Sequence, residues 1–184
     1  HHQGTTTYPL RWRQEGNMIK RMMAAARLDT AIYEEVEGDS SATVQAMAVV
    51  VLVALATGIG TFRTGGLVGI VVGIPVSIGL WALWAWITYL IGTTILKTAE
   101  TEANWGQLAR TLGFAQSPGV LKVFGFIPGI GLLFFSIASI WQLVAMVIAI
   151  RQALEFTSTW RAVGVAIVGF IPYALVTTLI FALI

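Results

Sequence analysis

Two acidic groups have the residue types and spacing that could carry chemistry in this chain. The first comprises Glu34, Glu35, Glu37 and Asp39, and the second comprises Glu100 and Glu102. Carboxylate oxygens are ligands of hard cations, so a meeting of the two groups would form a cation site. Two other roles compete with this one: capping of the following helix by the first group, and ion pairing with basic side chains. We favour these roles over the cation site, and the predicted ion-pair partners are Arg110, Arg151 and Arg161.

The residue sets that catalysis requires are missing from the sequence. Both histidines lie at positions 1 and 2, so Ser117 and Ser136 have no histidine to activate them. The sequence has no phosphate-binding loop followed by Lys-Ser or Lys-Thr and no histidine pair spaced for zinc. Cysteine is absent, which excludes disulfides, thiol nucleophiles and cysteine-ligated metals. We therefore expect a protein that is not an enzyme and needs no cofactor and no resident metal.

Composition identifies an integral membrane protein. The chain is 57% hydrophobic and only 11% charged, whereas soluble domains carry about 25% charged residues. Its mean hydropathy is +0.80. We expect an all-α, polytopic membrane helix bundle whose partners are membrane lipids and a membrane protein or a second copy of the chain. The net charge of +2 is small, and we expect no nucleic-acid partner.

Apolar runs of about 20 residues are long enough to cross a bilayer. Five of them are predicted within a transmembrane domain of residues 42–184: 43–62, 67–96, 106–127, 130–150 and 162–183. The third run is bent at Pro118, and a re-entrant segment over 105–127 is its alternative. Lys122 lies deep within this run. It must therefore snorkel, contact protein or mark a water-filled place.

The residues before the transmembrane domain form two predicted segments. Residues 1–14 are interpreted as a disordered segment, with a tag remnant at its start, that reaches the membrane interface through the Arg-Trp-Arg triplet at 11–13. Residues 15–41 are predicted to form an amphipathic helix over 15–36 and an acidic turn. Its Met-rich face and its cations favour a helix lying on an anionic membrane surface. Packing of that face against the protein's own helices is the alternative.

Basic residues in the short loops predict the orientation. With five spans, the cations of the N-terminal segment fall on the same side as Lys97, Arg110, Arg151 and Arg161. Only Arg63 lies in a loop on the opposite side. We therefore expect a multi-pass protein of a prokaryotic cytoplasmic membrane, with its N-terminus in the cytoplasm and its C-terminus outside.

Small and polar residues within the spans indicate where helices pack. Gly65, Gly69 and Gly73 recur every fourth residue, which favours close helix approach within the monomer over contact between monomers. Ser136, Ser139 and Gln142 follow one side of the fourth span, and with Lys122 and Tyr173 they could line a polar path. Hydrogen bonding between helices is the interpretation that we favour for these polar residues.

Several blocks of the sequence resemble the YIP1 family in its prokaryotic form, over about residues 18–183. The most specific is Leu-Gly-Phe-Ala-Gln-Ser-Pro-Gly-Val-Leu at 112–121, and blocks at 33–37, 140–143, 150–154 and 160–162 support it. The resemblance implies five transmembrane helices and a cytoplasmic N-terminus. Eukaryotic members of the family reside in Golgi and endoplasmic reticulum membranes and are linked to Rab GTPases. This chain has no Asp-Leu-Tyr-Gly-Pro motif, so we do not extend Rab binding to it.

Three functions follow as expectations. The first is a membrane-organising or adaptor role, through helix packing and contacts with partners or lipids. A small-solute or ion transporter is one alternative, and an accessory subunit of a larger membrane complex is the other. A water-filled cavity that reaches Lys122 would favour the transporter, whereas a dry bundle would favour the organiser. A stable monomer in detergent would count against the subunit.

Overall fold

The computed structural model describes residues 17–183, apart from the side chains of Phe181 and Leu183, and is all-helical over this range. The predicted segment 1–14 lies outside the described residues. The helices are α1 (Met18–Ala26), α2 (Thr30–Gly38), α3 (Ala42–Gly60), α4 (Phe62–Leu90), α5 (Trp105–Phe114), α6 (Gly131–Ala153) and α7 (Thr159–Leu183). A π-helical turn, Ile91–Ile95, continues α4, and a 3-10 segment, Ser117–Phe126, follows α5.

Four helices are long and apolar enough to cross a membrane. They are α3, α4 with its π-helical turn, α6, and α7 as far as Ile180. This finding agrees with the expected multi-pass membrane protein and with four of the five predicted spans. The remaining span, predicted over 106–127, is not a single helix. It consists of α5 and the 3-10 segment, which are separated at residues 115–116.

The break in this stretch has a local cause. Proline has no backbone N–H to donate, and Pro118 lies in the first turn of the 3-10 segment, where no donor is required. Ser117 donates its hydroxyl to the carbonyl of Phe114 at 2.6 Å, which closes the end of α5. The predicted bend at Pro118 is therefore a change of helix type rather than a kink within one helix.

The stretch from the end of α5 through the 3-10 segment runs parallel to α3. Gly113 lies against Ala46, near the start of α3. Further along, Gly119 lies against Val53, and a Cβ on Gly60 would overlap the carbonyl oxygen of Lys122. We call the end of the bundle where α3 begins the proximal face, and the end where α3 finishes the distal face.

The single helix predicted over 15–36 is two helices. Leu28 between them has a positive φ of 62°, which no helix interior contains. Asp29 then begins α2, because its carboxylate accepts a hydrogen bond from the Ala31 amide at 3.0 Å. Both helices pack against the bundle, with Ala25, Tyr33 and Val36 fully buried. The alternative of internal packing therefore holds for these residues.

The predicted glycine seam does not pack within the monomer. A Cβ added to Gly65, Gly69 or Gly73 would meet nothing within 4 Å among the described atoms. The glycines that do permit close approach are Gly60, Gly113 and Gly119, where α3 meets α5 and the 3-10 segment. The four-residue spacing identified a flat surface, but spacing alone cannot say which surface has a neighbour.

The helices of the bundle do not pack tightly everywhere, and a space remains beside α7. Helix α7 packs against both α4 and α6. Gly169 of α7 lies close to Trp84 and Ile87 of α4, toward the proximal face. Pro75 and Pro172 lie inside continuous helices, and the non-helical residue of α4 is Gly66, with φ 57°. Between α4, α6, α7 and the 3-10 segment the packing is incomplete, and a cavity forms there.

Candidate functional site

The main candidate site is a cavity of about 680 Å³ between α4, the 3-10 segment, α6 and α7. Most of its wall is apolar. The polar residues that line it are Ser77, Gln116, Lys122, Ser139, Gln142 and Tyr173. Of the residues predicted for a polar path, the structure brings together Lys122, Ser139, Gln142 and Tyr173, while Ser136 is not among the lining residues and is exposed.

Lys122 is the charged group of this cavity. Its ammonium lies 5.2 Å from the centre of the Phe135 ring, a cation–π contact about one helical turn inside the distal end of α6. No carboxylate lines the cavity, and no ion pair joins Lys122 to any residue between 17 and 183. The prediction that Lys122 faces protein or a polar pocket agrees with this position. Its charge is left without an anionic partner.

Two glutamines line the cavity together with Lys122 and are hydrogen-bonded to each other. The Gln142 amide donates to the Gln116 side-chain oxygen at 2.8 Å, and joins α6 to the residue before the 3-10 segment. This is the interhelical hydrogen bond that was favoured for the polar residues of the fourth span. Ser139 instead donates to the Phe135 carbonyl within its own helix at 2.8 Å. Gln116 was not predicted, because its partner is 26 residues away in the sequence.

Aromatic residues close the cavity toward the proximal face. The Trp81 indole donates to the Ala109 carbonyl at 3.0 Å, which fixes α4 to α5. The Trp84 ring meets Tyr173 edge to face, with 5.2 Å between ring centres. The Trp84 Nε1–H is buried and has no hydrogen-bond partner among the described residues. Trp81 and Trp84 are therefore packed within the bundle, whereas Trp86 is exposed.

A second polar cluster lies at the proximal face and centres on Arg21, which is 6% exposed. Its guanidinium donates to Glu35 at 2.9 Å, to Asp39 at 2.7 Å and to Gln45 at 3.1 Å. These bonds join α1 to α2 and α3. Arg21 was expected only as one of the cations of the N-terminal segment, and its bonds to α2 and α3 were not predicted. The only local signal was its place beside the Met-rich face of the helix.

The predicted ion pairs of Arg110, Arg151 and Arg161 with the acidic groups are not formed in the described structure. Arg110 donates to the carbonyls of Val36 and Glu37, where α2 ends. The other two arginines also donate to chain carbonyls: Arg151 to Phe156 at 3.3 Å, and Arg161 to Leu96 at 3.4 Å. The final carbonyls of a helix have no partner within the helix, and a guanidinium satisfies them in a fixed geometry. These arginines thus stabilise the ends of helical segments and the loop after α6.

The first acidic group divides between different partners. Glu34 accepts a hydrogen bond from Gln152 at 3.0 Å. The N-cap of α3 is Ser41, without a side-chain capping bond, so the predicted cap by Asp39 is not formed; the Asp39 carboxylate instead accepts from the Ser41 hydroxyl and amide in the turn before α3. These bonds, the Ser41 hydroxyl first and then Arg21, hold the pKa of Asp39 below its ordinary value. Burial first, and then the charges of Glu155 and Glu34, raise the pKa of Glu37 to about 7, against a lowering effect of Arg110.

The second acidic group does not join the first. Glu100 and Glu102 are exposed, and no hydrogen bond or ion pair connects them with α2 in the described part of the chain. Residues 17–183 contain no group of three or more acidic or histidine side chains that could hold a metal ion. The hypothesis of a cation site at the two acidic groups therefore has no support in this geometry.

The resemblance to the YIP1 family rests on residue patterns. Comparisons with protein-family models, with curated proteins and with solved structures found no match. Function is therefore inferred from the cavity, its lining residues and its position among the membrane helices.

Proposed function

We propose that this protein is a non-enzymatic, multi-pass membrane protein that binds a small molecule inside the bilayer, in the cavity around Lys122. One observation carries the proposal: a cavity of about 680 Å³ with apolar walls, a cation and two amides. Ligand sites in proteins have volumes of about 300–1,000 Å³ and combine apolar walls with a few polar groups. An ionisable residue at membrane depth is, by the same logic, a candidate functional residue.

The proposal includes a topology of five crossings, with the stretch of α5 and the 3-10 segment as the third. Its support is the parallel course of this stretch along α3, from Gly113 beside Ala46 to Lys122 beside Gly60. Five crossings bring the two termini to opposite faces. The basic residues Lys97, Arg110, Arg151 and Arg161 then share the proximal face, which is the cytoplasmic one by the positive-inside rule.

Membrane organisation of the YIP1 type is the second candidate function. It is favoured by apolar side chains on the outer surface, among them Ile19 and Met23 of α1 and Trp160 at the start of α7, which is 82% exposed. Such side chains suit lipid or another membrane protein at the interface. The accessory-subunit role would use the same surface. We rank both below ligand binding, because the cavity reaches Lys122 and the bundle is not tightly filled there.

The experiment that tests ligand binding fills the cavity. Ala166 lines it, so Ala166→Trp would occupy part of its volume, while Ile171→Trp changes a lipid-facing residue of the same helix. Full-length wild type and both variants are purified and released from detergent micelles in a mass spectrometer. We expect a bound small molecule on wild type and Ile171→Trp, and a loss of most of it from Ala166→Trp.

Equal bound mass on all three proteins, or none on wild type, would contradict the proposal. Transport is separated from binding by flux into proteoliposomes, with a panel of ions and small solutes. Flux that Lys122→Ala abolishes would assign the transporter role. Sealed vesicles together with a cavity ligand would instead assign binding without transport.

A further inference from the structure

We infer that the cavity takes an anionic, single-chain amphiphile, with its acidic head at Lys122 and its apolar chain along α6 and α7. The inference rests on the proposed function and names the ligand class of the same site. The head is a carboxylate or a phosphate, and both are negatively charged acceptors for a lysine ammonium. The chain is one hydrocarbon tail of ordinary membrane length.

Charge is the first argument for this ligand. A cation at membrane depth is costly unless an anion or water compensates it. Among the described residues Lys122 has an aromatic ring beside it but no ion-pair partner, and no acidic residue lies in the sequence between Glu102 and Glu155. No acidic side chain among residues 17–183 compensates this charge, which leaves the place open for an anion from outside the chain. An acidic head group supplies it without bringing a second cation into the cavity.

Hydrogen-bond donors are the second argument. Each glutamine amide has two N–H donors. Gln142 uses one of its donors on Gln116, and no hydrogen bond from the Gln116 amide nitrogen is found within residues 17–183. Both glutamines line the cavity together with Lys122. The donors left over favour an acceptor-only group, such as a carboxylate or a phosphate, over a cationic or neutral donor.

The third argument is the shape of the apolar wall. On α7 the cavity lining extends over 10 residues, from Val163 to Tyr173, or about 15 Å at about 1.5 Å per residue. One leaflet of a hydrocarbon core of about 30 Å has about half that thickness, about 15 Å. Leu143, Val147 and Ile167 form the sides, and Trp84 closes the end. The wall therefore matches one extended chain from a single leaflet.

The direction of polarity also matches a lipid in the distal leaflet. Lys122 lies near the distal end of the bundle, since its carbonyl meets Gly60 at the end of α3. The apolar wall extends from there toward the proximal face, on the side where Trp84 lies. A lipid of the distal leaflet has the same order, with its head at the distal interface and its chain pointing inward.

The test measures equilibrium binding to the full-length protein in nanodiscs of neutral phosphatidylcholine. The probes are radiolabelled palmitate, lysophosphatidate and hexadecanol, and inorganic phosphate and acetate are added as competitors. We expect both acidic amphiphiles to bind about tenfold or more tightly than hexadecanol, because the ammonium and amide bonds are made only by the charged head. Phosphate and acetate should not compete, because they lack the chain.

Three variants locate the charge effect. Lys122→Met should weaken palmitate binding by about tenfold or more, while hexadecanol binding stays within about twofold. Lys122→Arg should retain the preference for the acidic head. Lys97→Met removes an exposed lysine outside the cavity and serves as the matched control, with all affinities unchanged.

The outcomes distinguish a wrong ligand class from the absence of any ligand in the cavity. Equal binding of palmitate and hexadecanol to wild type would overturn the anionic head but leave a cavity ligand. Competition by phosphate or acetate would overturn the amphiphile and indicate a small anion. Failure of every probe to bind, combined with no bound mass on the purified protein, would overturn the cavity function itself.

Discussion

The protonation of Glu37 gives the sharpest prediction about stability. Glu37 lies half-buried at the proximal face, in a pocket of about 260 Å³ with Glu34, Arg151 and Glu155. Burial first, and then the neighbouring carboxylates, raise its pKa from 4.5 to about 7, although Arg110 acts in the opposite direction. The folded protein therefore retains a proton on Glu37 at pH values where the unfolded chain has lost it.

The sign of the pH effect follows from this proton. Between about pH 4.5 and 7 the folded state binds more protons than the unfolded state, so the free energy of unfolding falls as pH rises through that window. A pKa difference from 4.5 to about 7 corresponds to at most about 3.4 kcal/mol, at about 1.36 kcal/mol per pKa unit. Because Glu37 is only half-buried, solvent screening reduces this to about 1–2 kcal/mol.

The perturbation is Glu37→Gln, which resembles the protonated side chain at every pH. At pH 4, below the pKa of Glu37 in both the folded and the unfolded state, we expect nearly the same stability as wild type. At pH 8.5 the variant should be more stable by about 1–2 kcal/mol, which for a chain of this size raises the unfolding midpoint by about 2–8 °C. The assay is thermal unfolding in dodecyl maltoside followed by tryptophan fluorescence. Glu102→Gln, at an exposed glutamate outside this pocket, is the matched control.

The reasoning is refuted if wild type and Glu37→Gln have parallel stability curves between pH 4 and 8.5. A gain in stability at both pH values would mean that the amide forms better contacts, with no role for the charge. Only a difference that opens between about pH 4.5 and 7, and then stays constant at higher pH, agrees with the proposed proton.

Two further predictions concern packing. Arg21→Met should lower the free energy of unfolding by about 2–3 kcal/mol. This is less than the usual cost of breaking a buried ion pair, because Glu35 and Asp39 are about one-third exposed. Urea unfolding and the protease sensitivity of α1 would measure the effect, and an unchanged stability would contradict the role of this cluster. Gly60→Ala should cost about 1–3 kcal/mol, because its Cβ would overlap a carbonyl of the 3-10 segment, whereas Gly69→Ala, with open space beside it, should be neutral or stabilising by up to about 1 kcal/mol in the same unfolding assay.

Much of the fold could be predicted from local properties. Long apolar runs located all four membrane helices to within a few residues, since length and hydropathy are read from neighbouring residues alone. The loop expected around Arg63 lies within α4, which begins at Phe62, and the helix is interrupted there only at Gly66, with its positive φ. The single helix over 15–36 was wrong because apolar periodicity continues across Leu28, and nothing in that periodicity reveals its left-handed backbone.

The candidate site could be predicted only in part, because its contacts are non-local. Lys122 was identified from its depth in an apolar run, a property of the local sequence. Gln116 and Arg21 were missed because their roles depend on partners in other helices. The predicted packing of the glycine face at Gly69 was wrong for the same reason, since four-residue spacing defines a helix face but not the helix that contacts it. The YIP1 resemblance and the count of five crossings remain predictions.

The most direct measurement of the central claim is an experimental density map of the full-length protein in lipid nanodiscs, with a dibrominated fatty acid added. We predict elongated density from the Lys122 ammonium toward Trp84, with the bromine peaks along α6 near Leu143. A cavity closed by side chains, or a Lys122 ammonium that contacts only lipid tails outside the bundle, would contradict the account.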